Sequence, residues 1–175
     1  KKMHELAHEF TQRKISPWGG IKFFHKTYVT SGTKSFITSL DLPQPGSNRG
    51  YDPVELIEGF MTSVVLGARR LEHSGMLRMD KVIAEIFNWQ KGMASASTFS
   101  RFLDKFDVER NDRIFPPLMK HILDQVPIKY MTVDIDSSVI TRYGNQECAV
   151  KGYNPGKRGR PSHHPVMAFS DELKM

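Results

Sequence analysis

The sequence predicts an α+β protein, helical first and stranded afterwards, on three observations. Apolar residues recur at three-and-four spacing up to about residue 126, with capping residues, glycines and prolines between the runs. The period then changes to two: Met131, Val133 and Ile135 alternate with Tyr130, Thr132, Asp134 and Asp136. Beyond them, strand and turn alternate to the end of the 175 residues. The expected organisation is a helical region over 1–126 and the start of a sheet over 127–175, with no internal repeat.

Each helix has its own signals. Pro17, Gly19 and Gly20 punctuate the start of a helix with Ile21, Phe24 and Tyr28 on one face. Residues 40–50 hold two prolines and two glycines and read as a loop. Asp52 and Pro53 are the N-cap and first position of the next helix. Its stripe is Leu56, Ile57, Phe60, Val64, Ala68 and Leu71, and its expected end lies near Gly75. A shorter helix follows Asp80, another begins at about Ser97, and a last one is expected after Pro116 and Pro117. The segment 80–107 has the outline of a helix-turn-helix, in which Ser97, Thr98, Ser100 and Arg101 would face DNA. Residues 97–113 balance four basic against four acidic residues, so packing is the better account of that outline.

Composition narrows the partners. Hydrophobic residues make up 39% and aromatic residues 10%, enough for a core. The net charge of +6 and a pI near 9.5 favour an anionic partner. Residues 1–34 carry seven Lys and Arg against two acids, and residues 139–163 carry five against one. No apolar run is long enough for a membrane span, and Lys1 to Phe10 lacks the apolar region of a signal peptide. One cysteine, Cys148, excludes an internal disulfide and fits a reducing compartment. With His163 and His164 it has no zinc spacing, and a free buried thiol is expected. His4 and His8 read as exposed helix residues. Residues 30–35, Thr-Ser-Gly-Thr-Lys-Ser, lack the glycine spacing of a phosphate-binding loop.

Two features carry chemistry. Asp134 and Asp136, two apart on a strand, share a face roughly 6–7 Å apart. Burying both without partners would be costly, and a hard divalent cation, Mg²⁺ or Mn²⁺, would relieve that cost. On these two residues alone, a hydrated face or pairing with Arg or Lys is the simpler account. The second feature is the run Gly152 to His164. Its glycines admit a close ligand, Lys157, Arg158 and Arg160 suit phosphates, and Tyr153, His163 and His164 can stack or donate. Arg142 and Lys151 extend the same basic run. Acids followed by a basic clamp are what metal-dependent phosphodiester chemistry needs. Three strands in meander order would bring that loop to one sheet edge near the acids.

These residues resemble a known family. Val-Asp-Ile-Asp-Ser-Ser-Val-Ile-Thr-Arg-Tyr-Gly-Asn-Gln-Glu (133–147) and Lys-Gly-Tyr-Asn-Pro-Gly-Lys-Arg-Gly-Arg-Pro-Ser-His-His-Pro (151–165) are similar to transposase DDE domain group 1, of bacterial insertion sequences. Ser-Pro-Trp-Gly-Gly (16–20) and Ser-Ala-Ser-Thr-Phe-Ser-Arg-Phe-Leu-Asp-Lys-Phe (95–106) add to the resemblance. It implies that residues 127–175 open a ribonuclease-H-like α/β catalytic domain, here incomplete. It implies that Asp136, before Ser137 and Ser138, is the first acid of the catalytic triad, with Asp134 a structural or auxiliary acid. Asp171 and Glu172 come too early for the other two roles.

The resemblance further implies the reaction: metal-activated water cuts double-stranded DNA at the transposon end, and the freed 3′ hydroxyl attacks target DNA. Three carboxylates would hold two Mg²⁺ or Mn²⁺ ions. It also implies a homodimer on DNA, a cytoplasmic, nucleoid-associated bacterial protein without a membrane anchor, and a piece inactive alone. The alternatives are a helix-turn-helix DNA-binding protein without catalysis and a ribonuclease-H-like nuclease without transposition. The first does not account for an acid pair on a strand.

Overall fold

The computed structural model describes residues 10–173. Two compact units divide after Gln125. The first is helical, with α1 (Ile21–Thr30), α2 (Thr33–Ser39) and α3 (Pro53–Val65) leading. Asp52 caps α3 by accepting from Val54 N at 2.7 Å, with Pro53 at the first helical position.

The stripe of α3 differs from its sequence reading. The helix stops at Val65 rather than near Gly75, because Gly67 turns the chain at φ +88°. A 3₁₀ turn over Leu71–His73 and α4 (Ser74–Leu77) follow. The buried residues are Pro53, Leu56, Glu58, Gly59, Thr62 and Ser63, whereas Phe60 and Val64 are exposed. Small residues win that face through close approach. A Cβ on Gly59 would lie 3.2 Å from both Met93 Sδ and a ring carbon of Phe99. Phe99 therefore seats against helix backbone. Truncating a side chain buried that fully costs about 3–5 kcal/mol.

Helix α5 (Lys81–Phe87) is capped by Asp80, and α6 (Ala96–Leu103) by Ser95, two residues ahead of the expected start. The connection, residues 88–95, contains Asn88 and Gly92 at positive φ. It is twice the three or four residues of a helix-turn-helix. Helix α6 packs on α3 and on the 3₁₀ turn. Helix α7 (Val108–Asp124) is also longer than expected. It starts before Pro116 and Pro117 and runs through them. Each proline removes one backbone bond. The Asp107 cap and the Lys120–Asp124 pair at 2.7 Å hold the ends, and Ile114 anchors the middle in the core.

The second unit is a nested set of strands. β1 (Asp134–Ser137) pairs antiparallel with β5 (Val166–Phe169), and β4 (Pro161–His163) lies between β2 (Ile140–Thr141) and β3 (Val150–Lys151). The two sheets share one register. Stepping inward from Ser137, opposite Val166, leads past Ser138 and Val139 to Ile140, opposite His163. Ser138 N donates to Pro165 O at 3.1 Å, and Arg142 N donates to Pro161 O at 2.9 Å, so pairing continues across the gap and beyond β2. Pro165 has no N–H to return, which splits the ladder in two. The result is a single two-stranded ribbon from Asp134 to Arg142, with β3 added at its far end. The last strand returns beside the first, as the meander expected, but the path is a hairpin: β2 pairs with β4 and not with β1.

Candidate nucleic-acid and metal site

Asp134 and Asp136 stand on one face of β1, opposite Phe169 and Met167 of β5. All four residues of β1 are exposed. Burial therefore does not force these carboxylates to seek a cation. The face is open to solvent, and neither acid is paired with Lys or Arg among the described residues. Asp136 Oδ1 accepts from Ser137 N at 2.7 Å, which fixes that carboxylate against the strand. Glu172 holds the open end of the ribbon: its carboxylate accepts from Thr132 N at 3.3 Å and from Ser170 Oγ at 2.8 Å. Backbone donation at Glu172 itself, then the Ser170 hydroxyl and Thr132 N–H, hold this carboxyl below its ordinary range.

The basic loop sits at the other end. Asn154, only 5% exposed, anchors it. Its amide donates to Thr141 Oγ1 at 3.0 Å, and its carbonyl accepts from Lys157 N at 2.9 Å. The loop is thus folded onto β2, and Gly159 completes its turn at φ +77°. Lys151, Lys157 and Arg158 are exposed, with no side-chain partner among the described residues. Tyr153 is also exposed. Arg160 lies over the Tyr143 ring at 5.6 Å.

Arg142 and His163 are engaged with each other. Arg142 Nε donates to His163 Nδ1 at 3.1 Å, so His163 Nε2 donates to Glu147 O at 2.9 Å. His164 Nε2 meets the buried Ser162 Oγ at 3.0 Å. These three side chains build the end of the ribbon, leaving the lysines and Arg158 as free donors.

The acids and the loop are not neighbours in space. Six residue steps separate Asp136 from Arg142 along the ribbon, about 20 Å at strand rise. In the helical unit, Ser97, Ser100 and Arg101 are exposed at the i, i+3, i+4 positions of α6, while Phe99 and Phe102 are buried behind them. Cys148 is exposed, at φ +57° in the turn before β3, where a buried thiol was expected. His4 and His8 fall outside the described residues.

Two hard oxygen ligands on one exposed face suit part of a Mg²⁺ or Mn²⁺ shell, which keeps several waters. Among the described residues, no group of three or more His, Cys, Asp or Glu side chains is placed to hold a metal. Among them too, no helix is long and apolar enough to cross a membrane. Sequence reasoning missed Asn154 and Glu172. The Asn-Pro-Gly turn was a legible signal for the first. The second carried no signal, because its partner Thr132 lies forty residues away.

A family model described as transposase DDE domain group 1 matches residues 1–175. Comparison with curated proteins and with solved structures found no match.

Proposed function

This chain belongs to the transposase DDE domain group 1 family, and on that premise we propose that it binds duplex DNA and carries the first carboxylate of a metal-dependent cleavage and strand-transfer reaction. The observation that supports this reading most is the family match over residues 1–175, to which the acid pair adds two carboxylates on one strand face. Asp134 and Asp136 share an exposed strand face and have no protein cation as partner among the described residues. With Ser137 N on Oδ1, Asp136 keeps Oδ2 free for a ligand. When bound, Mg²⁺ or Mn²⁺ would activate the attacking oxygen and stabilise the leaving one. Lys151, Lys157 and Arg158 would grip the backbone of the same duplex. Transposon ends and target DNA are the substrates of this reading, with a homodimer assembled on them. One carboxylate of three does not complete the reaction, so this chain by itself would bind DNA without transferring strands.

Asp136→Asn in the cleavage-competent protein should abolish metal-dependent nicking of end DNA and leave end binding nearly unchanged. Asp134→Asn should be milder. Cleavage at the wild-type rate by the Asp136 variant would remove the assignment, and reversed effects would move it to Asp134.

A further inference from the structure

We propose that the helical unit carries a second phosphate-binding site, a groove between the loop at 43–51 and α6 that takes the backbone of double-stranded DNA. The groove holds about 330 Å³ and is floored by Leu56 and Phe102, with Tyr51 as a wall. Arg49, Arg101 and Lys105 line it, and no carboxylate does. None of the three is in an ion pair among the described residues. The Arg49 guanidinium donates no hydrogen bond there. Arg101 reaches only Thr98 Oγ1, at 3.5 Å. Lys105 Nζ uses one donor on Gln44 O at 2.8 Å. Three like charges along one groove repel each other, and an anion removes that repulsion.

The nearby acids are already engaged or turned elsewhere. Asp52 caps Val54 N, Glu55 accepts from Gln90 N, and Asp41 pairs with Arg113 at 3.4 Å. Asp104 is the exception: it is exposed one helical turn after Arg101 on the same face of α6, and it lies outside the groove lining. The loop is also held in shape. Lys91 Nζ donates to Arg49 O at 2.7 Å and to Gly50 O, and stands 5.7 Å from the centre of the Tyr51 ring. Arg49 is thereby presented on a fixed backbone, which limits the ordering cost of binding. Phosphate contacts of this kind position DNA without reading its sequence.

The inference rests on DNA being the partner. The test is titration of the 175-residue chain with a random-sequence duplex over a salt series. Combining Arg49→Ala, Arg101→Ala and Lys105→Ala should weaken binding to every sequence and flatten the log–log salt slope by about two to three units. The charge-keeping pair Arg49→Lys and Arg101→Lys should retain the slope. If the triple variant does not fold, Arg49→Gln and Arg101→Gln singly, both on exposed side chains, should each flatten it by about one unit. An unchanged slope in the alanine or glutamine variants, or equal flattening in the lysine pair, overturns the site and leaves the proposed function standing. Absence of salt-dependent DNA binding by the unmodified chain overturns both.

Discussion

Glu58 shows how one side chain can decide a packing face. It is 2% exposed, and its Oε2 accepts from Trp89 Nε1 at 2.7 Å. Its other oxygen lies 3.0 Å from Lys34 Nζ, whose side chain is 39% exposed. The surrounding groups register that charge. Burial, then the Glu58 carboxylate, holds the Tyr28 hydroxyl well above its ordinary value. Burial, then the Lys34 ammonium, lowers His25, against an opposing upward pull from the Glu58 carboxylate. The apolar stripe read from the sequence ran through Phe60 and passed over Glu58. Periodicity sees hydrophobicity and not a partner thirty-one residues away. Replacing Glu58 by Leu leaves the buried Trp89 N–H unpaired while Lys34, 39% exposed, keeps its water, and the expected destabilisation is about 1–3 kcal/mol. Glu58→Gln keeps an acceptor for Trp89 and should cost less. Urea denaturation followed by tryptophan fluorescence measures both, and equal costs would mean that the hydrogen bond to Trp89 contributes little.

At the scale of elements, helices were more legible than strands. Asp52 and Asp80 announced their helices because a cap is a local event, settled by two or three residues. The two-residue strands β2 and β3 are too short to show a period, and β4 is defined only by its neighbours on both sides. The path of α7 through Pro116 and Pro117 was likewise hidden, since the rule against interior proline ignores the caps and ion pair that hold a helix from its ends. The basic loop was legible as a cluster of charge and turn residues but not as placement. Replacing Lys157, Arg158 and Arg160 by Ala should lower affinity for all duplexes alike and flatten the salt slope by roughly two to three units. Preference among end sequences should persist. An unchanged slope in that titration would make the loop a solvated turn held by Asn154.

Over the whole molecule, apolar burial is one-sided. Among the described residues, the buried hydrophobic side chains lie between Ile21 and Ile114, whereas the residues buried beyond 126 are Asn154, Ser162 and Ser170. The helical unit is thus organised by a hydrophobic core, and the stranded unit by its ladder, its Asx turn and the Glu172 clamp. The α+β class could be read from the sequence because the change of period at residue 127 coincides with this change of physics. The uninterrupted register of the ribbon also makes it a ruler. A gap of about 20 Å from acids to basic loop corresponds to about six base pairs at 3.4 Å each. Hydroxyl-radical footprints should therefore show the loop's protection displaced by that many base pairs from the scissile phosphate. Removing Lys157 and Arg158 should erase this outlying mark and leave the cut where it was. Protection centred on the cut itself would mean that the DNA does not lie along the ribbon.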